Sequence, residues 1–402
     1  MVALVGLGLL LVDGSERAEL SPDRSPAASA DEEEAATAFL PDLRADLLAG
    51  DPQQLHEVAA SQAARRELGA LSANLDRLRV ADLGLRYVDT SDTALSATQR
   101  ERFGADAWVA DVQLIWRFGD VDRAPSTLEV PLVLTWDGSE PAFVTARVAD
   151  GRRAPLWWQA RVAVRRTPTT LVVAAERERL AVLSRQAVTA VDTVRGTLRS
   201  WQGPLVVEAA RTSEQFQRAS GLPASSARAI AAVTTTTDGS GLRHSASHIY
   251  LNPPVFDPLG PQGQQIVVSH EATHVALDAA TTSVPMWLSE GFADYVALVG
   301  SKVPVPVLAS QIRRLVRDDG APANLPGREE LDGGNEDVGA WYEAAWLAAA
   351  LIAEEYGEDA LLELYRVTDE DGNTDRAFRK VLGSTEAEFV DAWRAELTRL
   401  AG

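Results

Sequence analysis

Ser269-His270-Glu271-Ala272-Thr273-His274, followed after a short interval by Pro285-Met286-Trp287-Leu288-Ser289-Glu290-Gly291-Phe292-Ala293-Asp294-Tyr295, is the stretch around which the rest of the chain is read. On an α-helix, positions four apart share a face with Cβ atoms roughly 5–6 Å apart, so His270 and His274 can hold one metal ion between their imidazoles. Glu271, beside the first of them, is close enough to take a proton from a water at that ion, which is the mechanical content of an H-E-x-x-H pattern. A third ligand is still needed. Glu290 lies on what reads as the next helix, and a helix, turn and return of that length can bring its carboxylate back to the pair. Three protein ligands with one position left open is the arrangement of a catalytic zinc rather than a structural one. Asp294 follows Glu290 by four residues and can accept a hydrogen bond from the outer ring nitrogen of a zinc-bound histidine, fixing its tautomer. Ser289 is a second candidate for that task. The chain has only five histidines, so chance seldom produces this pattern; the competing reading is a buried helix carrying two satisfied histidines.

These residues carry a resemblance. HEATH followed by WLSEGFADY resembles the gluzincin metallopeptidases, the clan of thermolysin and aminopeptidase N, and most closely the bacterial peptidase MA-like group. The resemblance implies one zinc ion (Zn2+) and a peptide or protein substrate, with zinc on His270, His274 and Glu290, the general base at Glu271, and the partner of a ligating histidine at Asp294. A Tyr beginning an Ala-rich helix that ends in Tyr-Gly recurs in peptidase MA-like sequences, and Val338 to Gly357 has that form. Tyr342 is then the candidate donor to the tetrahedral oxyanion, with a Tyr packed on a helix interface as the competing reading. In the clan, an edge strand just before the metal helix pairs with extended substrate. By that analogy Ile249, Tyr250, Leu251 and Asn252 are expected on the edge as substrate-binding residues. The chain departs from the clan in two places. The interval from His274 to Glu290 is a few residues shorter than in thermolysin or aminopeptidase N, so the connection must be tighter, and the Gly-x-Met-Glu-Asn exopeptidase motif is missing upstream.

Composition limits the alternatives. At 402 residues and 46% hydrophobic content, two domains with packed cores are expected. A formal net charge of −20 argues against a nucleic-acid partner, because phosphate binding needs positive surface, and no basic stripe stands out in the linear sequence. The absence of cysteine excludes disulfides, thiolate zinc sites and cysteine nucleophiles. Lysine appears only at Lys302 and Lys380, a bias read as genomic. The run Met1 to Val12 is apolar but shorter than the roughly 20 residues a membrane span needs. With no basic residues before it, it reads as the remainder of a longer signal or anchor segment, which implies an exported, cell-surface or extracellular bacterial protein with membrane anchoring through that segment.

The expected organisation is α+β: residues 1–31 an apolar segment and linker, 32–175 a first domain, and 176–402 a mainly helical, zincin-type peptidase domain with a small sheet. In the first domain, Glu32 to Leu48 and Pro52 to Leu78 have helical periodicity, with Asp51 as a cap before Pro52. Trp108 to Arg117, Leu128 to Trp136, Ala142 to Val148 and Arg161 to Val173 alternate as strands of an antiparallel meander. Helices against a curved, tryptophan-bearing meander resemble the cone-shaped nuclear transport factor 2-like fold, with the tryptophans expected to fill its interior. In the second domain, Glu176 to Trp201 reads as a long helix. Ile230 to Thr237 and Ser247 to Asn252 read as paired strands, and Asp318 to Asn335 as a loop that forms one wall of the cleft. His244 and His248 sit on a turn and a strand, from which either could reach the site. Besides the peptidase, two other readings compete: a catalytically silent binding protein, and a scaffold whose helix pair is held by zinc.

Overall fold

The structure is a computed structural model that describes residues 26–90, 95–147, 151–243, 245–332 and 334–402. The apolar run Met1 to Val12 and His244 lie outside the described residues. The chain is α+β with two small sheets. Among the described residues no helix is long and apolar enough to cross a membrane.

Helices α1 (Pro26–Ala49) and α2 (Gln62–Leu78) lead into the first sheet. The run Pro52 to Leu78, expected as one helix, is divided. Asp51 starts a short helical turn by accepting from the Gln53 amide at 2.8 Å, and Ser61 starts α2 by accepting from the Ala64 amide at 3.1 Å. A serine in extended conformation that satisfies an orphan amide begins a new helix rather than continuing the old one. Strands β1 (Val80–Thr90), β2 (Trp108–Phe118), β3 (Ser126–Asp137) and β4 (Glu140–Thr145) then form an antiparallel sheet in chain order. Strand β1 is not signalled by alternation. Two register shifts and Asp82 at φ 56° interrupt its period. Trp108, Trp116, Trp157 and Trp158 are no more than 2% exposed and fill the core beneath these elements.

The Arg161–Val173 run does not extend the first meander. It forms the hairpin of β5 (Ala163–Arg166) and β6 (Thr170–Ala174), which opens a second sheet. Thr167 turns the chain: its amide donates to the Thr170 carbonyl at 2.9 Å, and its hydroxyl accepts from the Thr170 amide at 3.0 Å. Strands β7 (Leu205–Ala209), β8 (Ala232–Thr236) and β9 (Ser247–Leu251) complete it in the order β5-β6-β7-β9-β8. β6, β7 and β9 run parallel, and β8 pairs antiparallel with β9. Both faces are buried along β6, β7 and β9. Leu171 and Val173 of β6, Val206, Val233 and Tyr250 enter the core shared with the first sheet. Val172, Ala174, Val207, Ile249 and Leu251 enter a second core, covered by helices. Alternation within each strand thus divides one sheet between two cores, which is why these strands read as continuous apolar runs. The boundary expected near residue 175 falls within this arrangement and does not separate two cores, since strands on both sides of it line each.

The second core is covered by α3 (Leu180–Thr197), α4 (Gly260–Ala276), α5 (Met286–Leu298), α6 (Ser310–Asp319), α7 (Val338–Tyr356), α8 (Glu358–Asp371) and α9 (Glu386–Ala401).

Two polar residues of the shared sheet face the first core. His248 Nδ1 lies 2.7 Å from Glu208 Oε1, and its Nε2 lies 3.0 Å from Asp122 Oδ1, on the connection between β2 and β3. Its ring stacks on Phe118, with centroids 5.3 Å apart. His248 therefore ties the two sheets together rather than reaching α4. Burial alone would lower its pKa, but the Asp122 charge and the hydrogen bonds to Asp122 and Glu208 outweigh this and raise it to about 9. A folded-state value above the ordinary one means that the clamp stabilises fully below about pH 6.5 and is lost as pH rises through about 9. His248→Gln is accordingly expected to cost about 3 kcal/mol near pH 6 and little near pH 10. Urea unfolding at the two pH values checks this; an equal loss at both would assign His248 to packing alone.

Candidate metal centre

The stretch from His270 to Asp294 folds as two helices because each has an apolar surround and a clear stop. Helix α4 is buried continuously from Val267 to His274. The chain leaves it through Asp278, in the left-handed region at φ 51°, and a single 3₁₀ turn, Ala279–Thr281. Pro285 precedes α5, whose residues Trp287 to Asp294 are all buried. The connection is tight, as the interval between His274 and Glu290 requires. Gly291 sets the approach of α5 to α7: a Cβ there would sit 2.2 Å from the Ala345 carbonyl oxygen and 2.7 Å from its carbon. Only glycine lets the two backbones come this close.

His270, His274 and Glu290 are brought together. Their Nε2 atoms are 3.0 Å apart, and Glu290 Oε2 lies 3.3 Å from His270 Nε2 and 3.5 Å from His274 Nε2. Two ligands roughly 2.0–2.1 Å from a tetrahedral zinc lie about 3.3 Å from each other, so the three atoms already have the required spacing. No fourth His, Cys, Asp or Glu joins them among the described residues. Asp294 Oδ1 lies 2.7 Å from His270 Nδ1.

The chemistry of the donor set fits a cation. Without a metal, a proton is shared between the two Nε2 atoms; once it is lost, His270, with its Nδ1 proton donated to Asp294, presents an Nε2 lone pair beside those of Glu290. Both Glu290 carboxylate oxygens, His274 Nδ1 and the Tyr342 hydroxyl are buried without a hydrogen-bond partner, and Glu290 is 0% exposed. Lone pairs converging in a site closed to water are unfavourable unless a positive charge sits between them. Burial would raise Glu290, but the two imidazoles pull it down to about 2. Burial would lower His270, yet the Asp294 and Glu290 carboxylates hold it well above the ordinary range, so metal would enter by displacing a proton.

Glu271 is also buried, and its Oε2 accepts from the Thr234 hydroxyl of β8 at 2.6 Å. Burial raises its pKa, which brings the carboxyl nearer to neutrality than a surface glutamate. Tyr342 lies on the first turns of α7. Burial, followed by the charges of Glu290, Asp294, Glu271 and Asp332, drives its phenol well above the ordinary range, so it remains protonated and able to donate. Three residues of this neighbourhood carry no signal in the local sequence: Thr234, Gly291 and Asp332. Each acts through a partner distant in the chain. Ser289, a candidate to orient a histidine, has a buried hydroxyl without a partner.

The expected substrate edge is elsewhere. Ile249, Tyr250 and Leu251 lie on β9, between β7 and β8, and are no more than 3% exposed. Asn252 ties down the preceding chain, donating to the carbonyls of Ala227 at 2.6 Å and Ile230 at 2.9 Å. The physical reason is that β9 is buried on both faces and pairs on both sides, which makes it an interior strand. The outer strand is β8. It too is covered, with Ala232 0% and Thr234 2% exposed.

No protein-family model matches the chain, and no curated protein matches it significantly.

Gly291→Ala is expected to lower stability by about 1–3 kcal/mol through overpacking against Ala345 and to weaken zinc binding by displacing Glu290. Urea unfolding and chelator competition measure the two effects; an unchanged midpoint would show that the helices yield without cost.

Proposed function

We propose that the chain is a zinc-dependent metallopeptidase. The observation that carries this reading is the convergence of two Nε2 lone pairs and one unpaired carboxylate on a single point, with no fourth protein donor among the described residues. A zinc ion bound there would supply Lewis acidity toward a water and a peptide carbonyl. His270, His274 and Glu290 hold the position, and Asp294 keeps the His270 ring turned with Nε2 inward. Glu271 takes the proton from the attacking water at its carboxylate and returns it to the leaving amine nitrogen. Thr234 holds that carboxylate by its Oε2. The Tyr342 hydroxyl donates to the developing oxyanion.

A second reading is favoured by one observation. The two histidines are 2% exposed and Glu290 is 0%, so the centre has no open mouth in this conformation. A buried zinc that only clamps α4 to α5 would have this appearance.

The two readings diverge in three variants. Under the peptidase reading, purified protein contains one zinc and cleaves a diverse peptide mixture in a chelator-sensitive way. Glu271→Gln retains zinc and loses about 10³-fold or more of the hydrolysis, Tyr342→Phe loses about 10²-fold with zinc retained, and His270→Ala loses both. Stoichiometric zinc with no cleavage of any peptide by the parent protein would leave the clamp reading standing, and full activity in Glu271→Gln would remove the assigned base.

A further inference from the structure

A cleft of about 1270 Å³ lies between α2, the β5 edge and the start of α3, larger than the roughly 300–1,000 Å³ typical of small-molecule pockets. Nine of the side chains lining it are arginine, and one, Glu67, is a carboxylate. This is a local reversal of sign in a chain of net charge −20. Two of the nine are ion-paired from outside the cleft lining, Arg79 to Asp120 at 2.6 Å and Arg211 to Glu176 at 3.2 Å, and Glu67 adds little to this. Its oxygens accept from the Thr145 hydroxyl at 2.9 Å and the Ala146 amide at 2.7 Å, and Arg147 approaches only to 3.9 Å. The side chains of Arg66, Arg161 and Arg177 are exposed and have no hydrogen bond or ion pair among the described residues. Arg77 Nη1 is buried without a partner.

The same cleft holds an open sheet edge. The two outer strands of the second sheet differ: β8 is covered, whereas every residue of β5 is at least partly exposed. The bond from the Thr167 amide to the Thr170 carbonyl sets the phase of the hairpin, so Ala163 and Arg165 turn their peptide groups toward β6. Val164 and Arg166 turn theirs outward, where they meet no partner among the described residues. Val162, next in line, has its amide taken by Asn74 Oδ1 at 3.0 Å.

We infer that this cleft binds an extended acidic segment of another polypeptide, which adds a strand to β5 while its carboxylates meet the arginines. Unpaired peptide groups provide the directional part of the recognition, and the guanidiniums provide the charge. A nucleic acid fits less well. Among the described residues Phe103 is the only aromatic one lining the cleft, and the Arg102 guanidinium stands 5.5 Å over its ring, so that ring is not a free stacking platform. The cleft lies at the β5 edge of the second sheet, whereas the helix carrying His270 and His274 is tied through Glu271 and Thr234 to β8, the strand at the other edge. Binding here therefore does not depend on hydrolysis there.

The test uses the whole chain and a fluorescent ten-residue peptide of alternating Glu and Thr, titrated by anisotropy at about 50 mM salt. Saturable binding is expected. It should weaken by about tenfold or more when Arg66→Glu and Arg161→Glu are combined, and similarly when alternate peptide nitrogens are methylated in either phase so that strand pairing is blocked. Both arginines are exposed and unpaired, so the variant should keep the parental melting temperature; Arg177→Glu provides a second, independent variant. Absence of binding, undiminished binding in both variants, or equal binding of the methylated peptide and a single-stranded oligonucleotide of the same charge would overturn the assignment.

Discussion

A sheet buried on both faces must be apolar on both, and the five-stranded sheet obeys this at nearly every position of β6, β7 and β9. The exceptions, Glu208 and His248, point to the same side, where Asp122 from the first sheet meets them. Leaving any one of these groups alone in that core would cost several kcal/mol, so the three are tolerated only as a set. The set joins what would otherwise be two separable layers. A further bond between the Ser126 and Thr237 hydroxyls lies across the same junction. The shared sheet also determines the geometry beyond it, because α4 rests on β8 and β9 and receives its orientation from them.

The metal centre depends on that support in a specific way. Its ligands come from two helices, and neither helix alone can define the spacing of the three donor atoms. Gly291 allows α5, which carries Glu290, to lie close against α7, which carries Tyr342. Thr234 connects Glu271 to the outer strand of the sheet, so the carboxylate is held from β8. The result is three carboxylates and two imidazoles buried together, in which positive charge on the imidazoles offsets the carboxylates.

Charge is distributed unevenly at the other edge of the same sheet. Arginines separated by more than a hundred residues in the chain, such as Arg66 and Arg177, converge on one cleft while the acidic residues spread over the remaining surface. Burial, with a smaller contribution from the neighbouring Arg79 guanidinium, pulls Arg166 below its ordinary range against the opposing pull of Asp120 and Asp122. The negative exterior would repel bulk polyanions and leave the cleft as the local exception.

The linear sequence determined the elements whose signals are local. Residues four apart on a helix must share a face, so the pairing of His270 with His274 and the reach of Asp294 toward one of them followed from spacing alone. Alternation in Trp108 to Arg117 and Leu128 to Trp136 likewise defined two strands, and Asp51 before Pro52 marked a helix start. Only the tertiary structure decided which strands are neighbours. Alternating apolar residues show that a strand has a buried face, but a parallel crossover leaves no mark in the chain. For this reason Ile249 to Leu251 proved interior rather than edge, and β5 and β6 belong to the second sheet rather than the first. The same limit hid Thr234, Gly291 and the arginine cleft, since hydrogen bonds, close backbone approach and summed charge act through space between segments that the sequence holds far apart.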